Sequence, residues 1–230
     1  MTFFTYHLIQ ISFRERFLKF YNDFNIPDTK GIVHYENMYM MRLGEPIFSY
    51  KRYNLNQKAI LIQWKSEADF QKFKSDNPKH FLFRNWCIEL ELVRIWGHVD
   101  GFDFSQIPTC KIDLDELVVG ITVARTKLFD LPRFIHWGIP VERFVKNHKG
   151  IQYATASIRG LNTISTFTIW ENSIHMRNMV NGHHKDTNRH HKAMIERNRK
   201  DFYSQFTTLR MRPIKEHGKW YNQSLLNTDD

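Results

Sequence analysis

The feature that most constrains the fold is a pattern of predicted elements that occurs twice along the chain. In the first half, strands predicted by alternating apolar residues and helices predicted by amphipathic stretches follow the order βαββαβ. The second half, from about residue 116, gives the same order. Two landmarks align the halves: "GIVHY" at Gly31 matches "GIQYA" at Gly150, and Trp64 matches Trp170. The sequence therefore predicts an internal duplication.

A βαββαβ unit is typical of the ferredoxin-like fold, an antiparallel sheet with helices on one face. The other face still has to be buried, and a second copy of the sheet can bury it. We therefore predict an α+β protein of tandem ferredoxin-like repeats packed sheet to sheet as a pseudo-symmetric α+β barrel. The first repeat is expected over residues 1–105, the second over 106–220, and a flexible tail over 221–230. A helix break is expected near Gly138 and Pro140.

Composition narrows the class of protein. The 230 residues are 42% hydrophobic, which is enough for a substantial core. The two cysteines, Cys87 and Cys110, have no zinc-ligand spacing, and no run of 18 apolar residues occurs, so a cytoplasmic protein without a membrane span is expected. The net charge of +9 raises the possibility of an anionic partner, but the densest basic patch, at 197–200, is short, which makes nucleic acid an unfavoured partner.

Histidines are concentrated in one stretch, since five of the twelve lie between residues 166 and 194. At 100° per residue, the predicted helix after residue 182 places four imidazoles on the same side as three apolar residues. These residues are His183, His184, His190, His191, Met194, Ile195 and Phe202. Lysines and arginines occupy the opposite side, so the imidazoles are expected to face the body of the protein.

Imidazoles that face inward need hydrogen-bond partners or a metal. A haem or metal pocket would satisfy them, and so would water or backbone groups in an ordinary core. Gly182 could also break the helix, which would leave only His190 and His191 on its long segment. The residues alone leave these alternatives open, and no P-loop, GxGxxG, GxSxG or HExxH motif points elsewhere.

Residues 132–172 resemble the spheroidene monooxygenase family of carotenoid biosynthesis. The similar features are Trp137 and Pro140 in a Trp-x-x-Pro segment, a strand from Gly150 that ends in a glycine turn at Gly160, and "TFTIWE" followed by a helix with a histidine. A fainter likeness connects the spacing after Trp170 with haem-degrading monooxygenases. Both groups belong to the dimeric α+β barrels.

The resemblance implies a haem-dependent monooxygenase that adds oxygen to an apolar, carotenoid-like substrate, with an electron donor as a partner. It makes His191, or His190 or His184, the iron ligand, with one site in the second half. The pocket and the propionate partners would come from the following residues: Trp137, Arg159, Phe167, Trp170, Arg177 and Met194.

The second hypothesis is a non-catalytic duplicated barrel that binds a small apolar ligand. A completed barrel within one chain is compatible with either hypothesis, and pairing of chains into a homodimer is possible in both.

Overall fold

The structure, a computed structural model, describes residues 3–12, 26, 29–46, 48–105, 113–180 and 203–226. Its eight β-strands alternate between apolar side chains on one face and mixed side chains on the other. In chain order, they are β1 (Phe3–Gln10), β2 (Ile32–Met41), β3 (Tyr53–Trp64), β4 (Trp86–His98), β5 (Val118–Thr126), β6 (Ile151–Arg159), β7 (Thr163–Trp170) and β8 (Tyr203–Gly218).

The strands form one closed antiparallel barrel in the order β1-β3-β2-β6-β7-β5-β8-β4. Strands of the first half are neighbours in the order β4-β1-β3-β2, and strands of the second half in the order β8-β5-β7-β6. The halves meet through hydrogen-bonded strands at β2 with β6 and at β4 with β8. The predicted mixed fold of helices and a barrel is confirmed. The halves join edge to edge into one ring, and their inner faces pack against each other inside it, as in the stacking of Tyr6 on Phe167.

The barrel interior is the main core of the described residues. Every second residue of each strand points inward, as the pleat requires, and most of these side chains are large and apolar. Tyr6, Leu61, Ile88, Ile121, Phe167 and Leu209 are examples, each with no exposed surface. The other face of each strand therefore turns outward, toward the helices.

Three helices lie within the described residues: α1 (Glu67–Asp76), α2 (Leu131–Lys146) and α3 (Ser173–Val180). Helix α1 begins at Ser66, whose hydroxyl accepts a hydrogen bond from the backbone N–H of Asp69 at 3.2 Å. Helix α2 contains Pro140 and is continuous, so the expected break there is wrong. Buried side chains on both sides of the proline, Ile135 and Val141, hold the helix against the sheet and outweigh the lost hydrogen bond.

Two segments close the opposite ends of the barrel. One follows β4 and buries Val99 and Phe102, and the other follows β8 and buries Trp220. Each begins at a glycine with a positive φ, Gly97 at 84° and Gly218 at 75°. A side chain at either glycine would collide with a backbone carbonyl of the neighbouring strand region, at 2.1 Å and 2.0 Å respectively. A loose tail was expected from residue 221, but residues 221–226 are part of the second closing segment, and the Leu225 N–H donates to Glu216 Oε1 at 2.7 Å.

The loop between β2 and β3 reaches from the first half to α2 of the second half. Arg52 is almost fully buried and donates to both carboxylate oxygens of Glu142, at 3.1 and 2.8 Å. The same carboxylate accepts a hydrogen bond from the Gly44 N–H at 2.8 Å. A two-pronged guanidinium–carboxylate pair of this kind fixes both distance and orientation, so the loop anchors α2 over β6.

Candidate functional site

The outer face of the second-half sheet differs from the rest of the protein because its middle is made of small and hydroxyl side chains. Cross-strand pairing places Thr208, Thr122 and Thr166 in one row and Arg210, Gly120 and Thr168 in the next. All four threonines are partly exposed. We call these six residues the threonine floor. Apart from Arg210, these side chains are smaller than the Leu, Ile or Phe of an ordinary packed layer.

Hydrogen bonds fix the side of the threonine floor that lies toward β7. The Thr168 hydroxyl donates to the Gly120 carbonyl at 3.0 Å, and Trp170 Nε1 donates to the same hydroxyl at 2.9 Å. Trp170 is almost fully buried. The indole thus has its one donor satisfied and forms a rigid wall beside the floor.

Helix α3 crosses this face, and three successive residues of the helix, His175, Met176 and Arg177, each lie near a different part of the sheet. The His175 ring lies against Gly150, where a Cβ would come within 2.7 Å of it. Met176 lies over Gly120, where a Cβ would be 3.2 Å from the methionine Cε. Arg177 is close enough to Arg210 to influence its charge. Both glycines therefore allow α3 to approach the sheet closely.

Two imidazoles meet beside Trp170. The His148 ring makes edge contacts with Trp170 and with His175, at centroid distances of 5.2 and 5.6 Å. His148 Nδ1 accepts the Gly150 N–H at 3.1 Å, while His175 Nε2 lies 3.6 Å from a carboxylate oxygen of Glu171. A carboxylate beside an imidazole orients the ring, as it does for histidines that bind metals.

Three arginines gather at the β8 edge of the same face: Arg94 of β4, Arg177 of α3 and Arg210 of β8. Arg94 and Arg210 are directly opposite each other in the β4–β8 ladder. Partial burial lowers the pKa of Arg210, and the charges of Arg177 and Arg94 lower it further. The buried Arg210 Nε has no hydrogen-bond partner within the part of the chain that the structure describes. This arrangement concentrates positive charge and leaves a donor unused.

The predicted site residues divide between the two faces of the sheet. Trp170 and Arg177 lie on the outer face, and Trp137 of α2 packs at its margin against the buried cluster of Val141 and Val145. Phe167 instead points into the barrel and stacks on Tyr6 at a centroid distance of 4.0 Å. Since successive strand residues face opposite ways, Phe167 and Trp170 cannot line one pocket.

Arg159 also lies away from the outer face, in a buried ion cluster at one end of the barrel. The fully buried Glu36 carboxylate contacts Arg159 at 2.9 Å, Arg125 at 3.0 Å and His34 at 3.0 Å. Each half contributes to this cluster, since Glu36 and His34 come from β2. Arg159 thus neutralises a buried carboxylate, which removes it from a site on the other side of the sheet.

The predicted iron ligands His184, His190 and His191 lie outside the described residues, and so does Met194. Within the described ranges, no three His, Cys, Asp or Glu side chains come together as a group that could hold a metal ion. The described helices also include none long and apolar enough to cross a bilayer. Sequence reasoning missed His148, Arg94 and Arg210 as members of the site. The alternation of "TLRMRP" on β8 could have placed Arg210 on the face opposite Leu209 and Met211.

Solved structures similar to this chain include an aldoxime dehydratase, OxdRE, in complex with butyraldoxime, with a TM-score of 0.53 and 8% identity over 93% of this chain and 80% of that chain. For a protein provisionally assigned as a monooxygenase from Fusobacterium nucleatum, the TM-score is 0.41 and the identity 11%, over 95% of this chain and 94% of that chain. For the heme-degrading enzyme LmHde from Listeria monocytogenes, the TM-score is 0.29 and the identity 9%, over 89% of this chain and 98% of that chain. At this identity, the aldoxime dehydratase match shows a shared fold. No protein-family profile matches the chain, and no curated protein matches it.

Proposed function

We propose that this chain is a haem-dependent oxygenase for an apolar substrate, with the cofactor on the outer face of the second-half sheet. The observation that carries the proposal is the threonine floor, with the His148 and His175 rings in edge contact at one side. At the other side lie Arg94, Arg177 and Arg210, which form no ion pair with any described Asp or Glu. The family resemblance of residues 132–172 and the position of the His183–His191 cluster, directly after α3 in the chain, support the same face.

The described residues fit haem in two respects. Haem carries carboxylates, and Arg210 has a buried donor without a partner on the side of the face where Arg94 and Arg177 also lie. Histidine is a common protein ligand of haem iron. The resemblance assigns this role to His191, His190 or His184, and the geometry adds His175 as a candidate. The carboxylate of Glu171 would orient the His175 ring.

When bound, haem supplies the iron at which oxygen reacts. The tasks of this chain's own residues are binding and exclusion of water. Met176 presents a thioether over Gly120 of the floor, Trp170 forms a wall beside the floor, and Trp137 extends the apolar margin. An apolar substrate would replace water along these groups. We also propose that the halves are tandem ferredoxin-like repeats, which the shared strand order and the matching glycines Gly97 and Gly218 support.

The test is a titration of the purified protein with hemin, followed by absorbance. We expect a shifted Soret band in the wild-type protein and a weaker or altered band in one of His191→Ala, His190→Ala, His184→Ala and His175→Ala. Gly150→Ala sharpens the last case, because the added methyl group displaces the His175 ring without removing it. His136→Ala is the matched control, since His136 is an exposed histidine of α2 that touches Trp137.

A spectrum that matches hemin bound nonspecifically, with no change in any histidine variant, would contradict haem ligation. Expression with iron and a haem precursor that still gives a colourless protein would point the same way. In that case the non-catalytic barrel that binds a small apolar ligand becomes the better hypothesis.

A further inference from the structure

We propose that Arg94, Arg177 and Arg210 together bind a carboxylate group of the ligand that occupies the threonine floor. This deepens the proposed function and rests on it in one respect, namely that the outer face of the second half is the binding face. The carboxylate could belong to the cofactor or to the substrate, and the experiment below separates these sources.

The first step is the pairing of two like charges within the sheet. Arg94 and Arg210 are cross-strand partners, so their Cβ atoms are about 5 Å apart on the same face. Like charges in this position destabilise a sheet. The Arg94 guanidinium lies over the Trp96 ring, 4.7 Å from the centroid. Arg94 has only donors, so it offers Arg210 no hydrogen-bond acceptor.

The second step is that a third guanidinium arrives from a different element. Arg177 follows Met176, which lies over Gly120, and Gly120 is the cross-strand partner of Arg210. The helix and two strands, one from each half, therefore bring their arginines to one edge of the floor. Burial and these two charges lower the pKa of Arg210, as expected where cations face each other without an anion.

The third step is the absence of a carboxylate where one is expected. Among the described residues, no Asp or Glu forms an ion pair with Arg94, Arg177 or Arg210. Arg212 lies two residues further along the same face of β8 and has two acidic partners, Glu91 at 3.2 Å and Glu116 at 3.6 Å. The described acidic residues thus neutralise Arg212 and form no ion pair with Arg210, whose Nε donor is buried.

The chemistry of the site favours an organic acid. A guanidinium presents a planar fork that matches the two oxygens of a carboxylate. Met176 on the floor and the partly exposed Trp96 at the edge add apolar surface next to the fork. A ligand with an apolar body and a carboxylate end satisfies both parts.

The experiment measures dissociation constants of the full chain for two matched pairs of probes. The pairs are hemin with hemin dimethyl ester, and decanoate with decanol. Variants are Arg210→Gln and Arg177→Gln, with Arg212→Gln as the control that removes an equal charge from the same strand face. Thermal unfolding confirms that each variant folds, and Arg177, exposed on α3, provides a second variant if Arg210→Gln is unstable.

We expect Arg210→Gln to weaken the binding of at least one carboxylate probe by about tenfold, the loss typical of one charge-assisted hydrogen bond. Arg212→Gln should change it by less than about twofold, since that cation is already paired. The uncharged ester and alcohol should not respond to Arg210→Gln. A response confined to hemin assigns the carboxylate to the cofactor, and one confined to decanoate assigns it to the substrate.

The carboxylate site is overturned if Arg210→Gln and Arg212→Gln have equal effects, or if the uncharged probes lose as much affinity as the charged ones. It is also overturned if inorganic phosphate displaces decanoate at lower concentrations than acetate does. Failure of the proposed function is a different result: the wild-type protein would show no Soret shift with hemin, while decanoate binding still depended on Arg210.

Discussion

The sheets of the two halves have the same strand order, but their outer faces carry different kinds of side chain. In the first half, large apolar side chains fill the space between the sheet and α1. Its buried members include Phe3, Ile60, Ile62, Trp64, Phe70 and Phe73. In the second half, the equivalent face carries the threonine floor, with partly exposed hydroxyls and Gly120. Among the described residues, packed apolar side chains thus cover the first-half face, whereas the second-half face presents hydroxyl groups.

A buried series of hydrogen bonds supports the packing of the first-half outer face. In the first half, Trp64 Nε1 donates to Thr5 Oγ1, and the Thr5 hydroxyl is 2.9 Å from His7 Nε2. His7 Nδ1 is 2.9 Å from the Leu82 carbonyl, which can only accept, so this nitrogen carries the proton. Every polar group in this series of hydrogen bonds, from Trp64 through Thr5 and His7 to Leu82, has a partner, and the imidazole has a structural role. On the second-half outer face, the buried Nε of Arg210 has no hydrogen-bond partner among the described residues.

The largest expected effect tests whether the faces differ in packing. Phe70→Ala should lower the free energy of unfolding by about 4 kcal/mol, because the ring is fully buried. Its centroid lies 5.6 Å from that of Phe3 and 5.4 Å from that of Trp64. Met176→Ala, which truncates a partly exposed side chain over the threonine floor, should cost about 1 kcal/mol. Urea denaturation followed by circular dichroism measures both, and equal losses would mean that the second face is packed like the first.

The next effect concerns the buried imidazole of the first half. Burial lowers the pKa of His7 to about 4, so the unfolded chain binds a proton there that the folded chain refuses. Stability from this residue is complete above about pH 6.5 and is lost as the pH falls toward 4, by roughly 3 kcal/mol in total. His7→Gln should be less stable at pH 7 and show a flatter decline between pH 6.5 and 4 than the wild-type protein. Parallel declines in a denaturant series would contradict a neutral buried His7.

The smallest effect compares two arginines on one strand in the absence of ligand. Arg210→Gln removes repulsion from Arg94 and should raise the free energy of unfolding by about 0.5 kcal/mol. Arg212→Gln breaks ion pairs with Glu91 and Glu116 and should lower it by about 0.5 kcal/mol. Added salt should reduce the difference, since it screens both interactions. Thermal melts at low and high ionic strength make the measurement.

The strand periodicity predicted the barrel and its eight strands well, because the alternation of apolar residues is a local property that burial enforces. The closure of the ring could not be predicted from this local pattern. Edge pairing of β2 with β6 and of β4 with β8 depends on contacts between residues more than 100 positions apart. The helix through Pro140 shows the same limit, since tertiary packing of Ile135 and Val141 decided it.

The candidate site was predicted in part. Trp170 and Arg177 lie on the outer face of the second half, where one site was expected. Phe167 was assigned to that site from its position in "TFTIW", although the strand period already places it opposite Trp170. Arg159 lies with Glu36, a residue of the other half, and no local pattern reveals that pair. The three predicted histidine ligands stay a prediction.

The closed ring of strands has a consequence for any attempt to separate the halves. Cutting the chain near residue 105 and keeping one piece would expose the backbone N–H and C=O groups of two edge strands at once, β2 and β4 or β6 and β8. Such a fragment could regain its hydrogen bonds by joining a second fragment along both edges. Expressed alone, either half should therefore be recovered as pairs or aggregates, whereas the two halves expressed together should reassemble the original ring.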